Sequence, residues 1–314
     1  MGLLERIHHP DLKADQRLLV AIDELGISTR QHLSTVLGWT ENSVQTYIHR
    51  WRQKGPDQED VKRLNELKKT IHQAWERKSD VPLHIRKEYH EIYDRIQMSR
   101  NQWIEIYYPP KHAKLSCYKL GPRALEYLQG FSSNGKIGVR SNLQWGHYLG
   151  LNDILIRLIK ADPNGNLEWY GTQEATEYLF RQMEFVFREE WANDPKKARS
   201  DRRQIIRPDA YVSIDDRYYW VEFDNGSEGT RKIEEKMTEY IVTLSKIDND
   251  DPVVWVARDE KRRDELRDIW EYKKLDFTLD ERDDQDEEIS KIPDMHFFKA
   301  GDEVEFFIPS LVSV

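Results

Sequence analysis

The stretch from 207 to 228, RPDAYVSIDDRYYWVEFDNGSE, constrains the fold more than any other part of the chain. Two β-prone runs flank Asp215-Asp216, a pair suited to a two-residue reversal, so the spacing predicts a hairpin with strands over 209–214 and 218–223. In that register Ile214 faces Arg217, Val212 faces Tyr219, Ala210 faces Val221, and Asp209 lies opposite Glu222. Strand side chains alternate, so the apolar set takes one face and Asp209, Glu222 and Asp224 share the other. Three carboxylates in one cross-strand neighbourhood repel at neutral pH. A divalent cation, a basic side chain or a shared proton must compensate.

In one reading Asp209, Glu222 and Asp224 hold Mg2+ or Mn2+, because hard cations choose carboxylate oxygens and can activate water against a phosphodiester. In the other, the carboxylates lie on a solvated turn or are neutralised by Arg207, Lys232 or Lys236. A helix over 230–246 buries Ile233, Met237, Ile241 and Leu244, while Lys232, Lys236 and Tyr240 recur every four residues beside that stripe. A lysine from that helix can reach the carboxylates. Asp209, Glu222 and Lys236 are therefore the candidate catalytic set.

The first part of the chain has a different pattern. Residues 13–55 read as three short helices, with apolar positions Leu18, Leu19, Ile22 and Leu25, then Leu33, Val36 and Leu37, then Val44, Ile48 and Trp51. Gly26, Gly38 and Gly55 mark the breaks, and Thr29 and Thr40 stand at N-cap positions. The second and third helices, joined through Leu37-Gly38-Trp39-Thr40, form a helix-turn-helix pattern. β-prone runs at 103–108 and 115–120 flank a basic turn, and Gly121-Pro122 opens a last short helix, which together give the order of a winged helix. The expected recognition helix, 41–54, exposes Ser43, Gln45, Thr46, His49, Arg50, Arg52 and Gln53. Small polar groups followed by arginine suit base edges and flanking phosphates, and Lys111, His112 and Lys114 on the wing tip add backbone contacts. The plain alternative is a three-helix packing module with ordinary surface polarity.

Between these elements, 57–99 reads as a charged helical hairpin with stripes Val61, Leu64, Ile71, Trp75 and Ile85, Tyr89, Ile92, Ile96. Stripes this narrow need a partner, either the rest of the domain or a second copy of the chain, so a homodimer through 57–99 is one expectation. Gly130 to Gly138 is the best linker. The expected organisation is 1–130 as one domain, 131–141 as linker and 142–314 as a second domain.

Charge separates the two parts. The total is -9, but residues 1–130 carry 21 Lys+Arg against 17 Asp+Glu and residues 131–314 carry 27 against 40. The basic part can approach a polyanion directly, whereas the acidic part must avoid phosphate or meet it through cations. No window approaches the roughly 18 apolar residues of a membrane span. The N-terminus lacks the apolar core of a secretory signal, and a lone cysteine, Cys117, excludes an internal disulfide. The expectation is a cytoplasmic protein with no membrane partner.

The acidic part reads as helix 142–160, strands near 167–173, 209–214 and 218–223, helix 230–246, strand 253–257, helix 259–272, and strands near 295–299 and 303–308. Residues 196–207 read as a mobile basic stretch, and 276–288, with eight acidic side chains in thirteen, as a solvated loop. The order of elements, with Pro208-Asp209 on one strand and Glu222 on the next, resembles the restriction-endonuclease-like PD-(D/E)XK core. With the helix-turn-helix part, His147-Tyr-Leu-Gly-Leu-Asn152-Asp153 and Glu222-Phe-Asp224-Asn-Gly-Ser-Glu228, the chain is similar to the replication-relaxation family of plasmids and other mobile elements.

That resemblance implies an α+β protein: an N-terminal winged helix-turn-helix with a helical-hairpin insertion, and a C-terminal restriction-endonuclease-like domain around a central mixed sheet. It implies double-stranded DNA and replication or transfer proteins as partners, and a role in plasmid replication, relaxation or their control. A working nuclease of this class carries lysine two positions after the motif acid; here that position is Asp224, so Lys232 or Lys236 substitutes or cleavage is lost. The alternatives are a metal-dependent nuclease or nickase, and a transcriptional regulator whose C-terminal domain binds protein.

Overall fold

In a computed structural model of the chain, residues 1–110, 112, 114–129, 141–162, 164–280 and 291–309 are described. The chain divides into two compact units, Ile7–Tyr148, and Leu149–Val314 together with Met1–Arg6. The expected linker around 130–138 and the acidic run beyond 280 lie outside the described residues.

A short helix, α1 (Leu3–Ile7), opens the chain, followed by α2 (Ala14–Leu25), β1 (Ser28–Thr29), α3 (Arg30–Leu37) and α4 (Glu41–Gln53). The expected caps are present: the Thr29 hydroxyl accepts from the His32 N–H and the Thr40 hydroxyl from the Ser43 N–H. Gly38 ends α3 in the left-handed region at φ 66°, ψ 27°, a conformation without penalty only for glycine, and so sets the turn into α4. The apolar positions read from the sequence, Leu18, Leu19, Ile22, Leu33, Val36, Val44, Ile48 and Trp51, are all buried.

Next come α5 (Gln58–Glu76) and α6 (Leu83–Asn101), then β2 (Ile104–Tyr107), β3 (Cys117–Leu120) and α7 (Pro122–Gln129). β1, β3 and β2 form an antiparallel sheet in that order, so a third strand, too short to show a period-two pattern, joins the two expected ones. The α5 and α6 stripes face each other, with Leu64, Leu67, Ile92 and Ile96 buried together and Val61, Ile85 and Tyr89 packed around them. Trp75, the last residue of the α5 stripe, stands outside that cluster and is exposed. Cys117 is buried, which pushes its thiol pKa up to about 11 and keeps it protonated.

The second unit holds most of α8 (Trp145–Ala161), then β4 (Glu168–Gly171), α9 (Thr172–Val186), α10 (Arg188–Asn193), α11 (Pro195–Gln204), β5 (Ala210–Ile214), β6 (Arg217–Asp224), α12 (Thr230–Lys246), β7 (Val253–Ala257), α13 (Glu260–Asp280), β8 (Met295–Lys299) and α14 (Val304–Phe307). The strands form one mixed sheet in the order β4-β5-β6-β7-β8, antiparallel through β6 and parallel beyond it. Every residue of β7 is buried, as expected of a central strand covered on both faces.

Three expectations fail here. Residues 196–204 are helical, because the Asp194 carboxylate accepts from the Lys196 and Lys197 N–H groups and Pro195 stands in the first turn. The final run is the helix α14 and not a strand: the fully buried Glu303 accepts from the Gly301 N–H and pairs with Arg157 at 2.6 Å, and Phe307 packs edge-on to Tyr219. α13 continues to Asp280, so the first acids of the expected loop are helical.

Candidate functional site

The β5–β6 register is the one read from the sequence: Ile214 with Arg217, Val212 with Tyr219, Ala210 with Val221. Asp215 and Asp216 take φ 48° and 60°, the two left-handed residues of a type I′ reversal. Asp209 therefore stands beside β6, where its Oδ2 accepts from the Phe223 N–H at 2.8 Å. The ring of Phe223 points to the opposite face. A Cβ on Gly150 of α8 would lie 2.0 Å from that ring, so glycine at 150 is what lets the helix approach the sheet.

On the other face Glu222, 1% exposed, sits beneath α12. Its Oε2 accepts from Lys236 Nζ and its Oε1 from the Tyr240 hydroxyl at 2.6 Å. Burial pushes the Glu222 pKa up to about 8 against the pull of Lys236, and nearby Asp209 adds to the rise. For Lys236, burial works against the charged form, but Glu222 and Asp209 outweigh it and raise its pKa. Lys236 Nζ also lies 5.8 Å from the centre of the Trp255 ring on β7. Asp209, Glu222, Lys236 and Tyr240 thus form one electrostatic group.

Asp224 is engaged differently. Its Oδ2 accepts from Arg262 of α13 at 2.8 and 3.1 Å, and its Oδ1 accepts from the Gly226 N–H. Nothing in the local sequence marks Arg262 as its partner, since 38 residues separate them. Among the described residues no group of three or more His, Cys, Asp or Glu side chains is arranged to hold a metal ion. The oxygens expected to bind Mg2+ or Mn2+ accept from Lys236, Tyr240, Arg262 and backbone N–H groups, so the donor set as it stands does not fit a divalent cation. Lys236 answers Glu222 and Arg262 answers Asp224, while Asp209 accepts from a backbone N–H.

In the first unit, α4 exposes Gln45, Thr46, His49 and Arg50 and leaves Ser43 half-buried, its hydroxyl 2.9 Å from that of Thr40. Arg50 lies over the Tyr47 ring at 5.0 Å. Lys114 is exposed near the tip of the β2–β3 connection, and Lys111 lies outside the described residues. Arg52 departs from expectation. It is 8% exposed, and its guanidinium donates to Gln97 Oε1 and Asn101 Oδ1, each at 3.1 Å, and to the Ile104 carbonyl. The sequence places it beside Trp51 on the inner edge of the helix, and the inserted α6 covers that edge. It braces the insertion and is not on the face that would meet DNA.

Of the motif 147–153, His147 is half-buried against Tyr148, Asn152 is buried and Asp153 is exposed. The fold and the site define an α+β protein of two units, one a small helical domain with a three-stranded sheet, the other a mixed five-stranded sheet with a buried acid–lysine group. Residues 101–252, just under half of the chain, match the model of the replication-relaxation family. The match spans β2 through the hairpin to the end of α12 and takes in both Asp209 and Lys236. No curated protein and no solved structure matches the chain. Among the described residues no helix is long and apolar enough to cross a membrane.

Proposed function

We propose that this chain is a duplex-DNA-binding protein acting in plasmid replication or relaxation, or in their control, and that its nuclease-like unit grips DNA without cutting it. The observation that carries the reading is the polar and cationic face of α4, Gln45, Thr46, His49 and Arg50, set over a buried apolar stripe in a helix–turn–helix followed by two strands, the order of a winged helix. Helix α11 supports a second grip: Lys196, Arg199 and Arg203 recur at i, i+3 and i+7, all exposed, along about 10 Å of helix, on an otherwise acidic unit. Binding of a labelled duplex by the full chain, read by fluorescence anisotropy across a salt series, tests the proposal. Arg50→Ala with Lys114→Ala is expected to weaken it; unchanged affinity contradicts the reading.

A second reading, a metal-dependent nickase, is favoured by one observation, the grouping of Asp209, Glu222 and Lys236. It requires Glu222 to give up Lys236 or Tyr240. Its signature is nicking of supercoiled plasmid in Mg2+ or Mn2+ that Asp209→Ala abolishes.

A further inference from the structure

The far end of the α5–α6 hairpin is unlike its shaft. Residues 68–90 carry six Lys+Arg and three histidines against three acids, whereas 57–67 and 91–99 together carry three Lys+Arg against six acids. Between the helices at this end lies a cavity of about 650 Å³, lined by Lys68, His72, Trp75, Arg86, Tyr89 and His90 among others. Trp75 is 75% exposed there, with the His72 ring stacked on it at 6.1 Å and 23°. Lys68 and Arg86 are exposed, and neither forms an ion pair among the described residues.

We infer that this tip binds single-stranded nucleic acid, with an unpaired base on Trp75 and the neighbouring phosphates on Lys68 and Arg86. The ligand must be anionic to match the charge and must offer a flat face to an open indole. Duplex bases are stacked and cannot offer one, while a single strand offers both at every nucleotide. A second copy of the tip brings like charge to like charge. An apolar peptide leaves the cations unanswered. The site is separate from the exposed face of α4, so one chain holds a duplex and an unpaired strand at different places, an arrangement suited to a junction between them.

The test uses the full chain and a labelled oligo-dT, read by anisotropy over a salt series, with a labelled duplex in parallel. Trp75→Ala is expected to weaken oligo-dT binding by about tenfold or more, the usual loss for a stacking aromatic, and to leave duplex binding unchanged. Lys68→Glu with Arg86→Glu is expected to weaken it further and flatten its salt dependence. All three positions are exposed, so the variants should keep the wild-type melting curve. Failure of the wild-type chain to bind oligo-dT, or equal binding by Trp75→Ala, overturns the inference. So does an oligo-dT affinity unmoved by Trp75→Ala while sedimentation shifts from dimer to monomer, which would assign the tip to self-association. Loss of duplex binding in Arg50→Ala leaves this result untouched, so the two proposals fail separately.

Discussion

Replacing Lys236 with methionine keeps the aliphatic stem under α12 and removes the charge that Glu222 answers. Breaking a buried ion pair by removing one partner costs about 3–5 kcal/mol, a cost felt in full only where Glu222 is ionised, above about pH 8. The Lys236 side chain is 24% exposed, so water reaches the pair and the lower end, about 3 kcal/mol, applies. At about 2–4 °C per kcal/mol for a unit of this size, the melting temperature should fall by about 6–12 °C. The loss should depend on pH. The folded chain keeps the Glu222 proton up to about 8, whereas the unfolded chain releases it near 4.5, so the native state binds more protons in between and stability falls as pH rises through that window. Without Lys236 the folded value climbs further, and the decline continues beyond pH 8. Calorimetry of wild type and Lys236→Met should therefore give melting temperatures whose difference changes little from about pH 5.5 to about pH 7.5 and widens above about pH 8. An equal difference at pH 5.5 and pH 9.5, or none, would refute the electrostatic account and leave only packing.

Arg52→Met should destabilise the first unit by about 3 kcal/mol in urea titration, since charged-donor hydrogen bonds contribute about 1.5–3 kcal/mol each and acceptors on α6 and β2 lose theirs; a stable variant with weakened DNA binding would return Arg52 to the recognition face. Gly150→Ala should cost about 1–3 kcal/mol by overpacking against Phe223, with partial recovery in Gly150→Ala/Phe223→Leu; a neutral Gly150→Ala would show that α8 does not press on the sheet there. Glu222→Gln should flatten the fall in stability between pH 5 and 8, and an unchanged slope would assign that fall to another group. Arg50→Ala should reduce the salt slope of duplex binding by about one, and a slope equal to wild type would remove Arg50 from the phosphate contacts.

The hairpin is legible because Asp215-Asp216 suits a two-residue reversal, and a period-two register then fixes every pair up to Ala210 and Val221. The approach of Lys236 was legible because its helix has one buried stripe and few cations beside it. What stayed hidden depends on distant partners. Arg262 reaches Asp224 across 38 residues, and the insertion turns Arg52 from a surface cation into a brace. The α11 segment lacks an apolar stripe, so its caps and the tie from Trp191 Nε1 to Asp201, at 2.8 Å, order it without periodicity to announce it. The last run, Val304–Phe307, has strand-like composition, yet the buried Glu303 and its pairing with Arg157 turn it into a helix.

Glu222 is held by Lys236 and Tyr240, and the proposed grip on DNA is expected to come without cutting. Incubating supercoiled plasmid with the full chain in Mg2+ and in Mn2+, and resolving the topological forms on a gel, tests it most directly. The supercoiled form is expected to stay intact with both wild type and Asp209→Ala. Open-circular product from wild type that Asp209→Ala abolishes would contradict it.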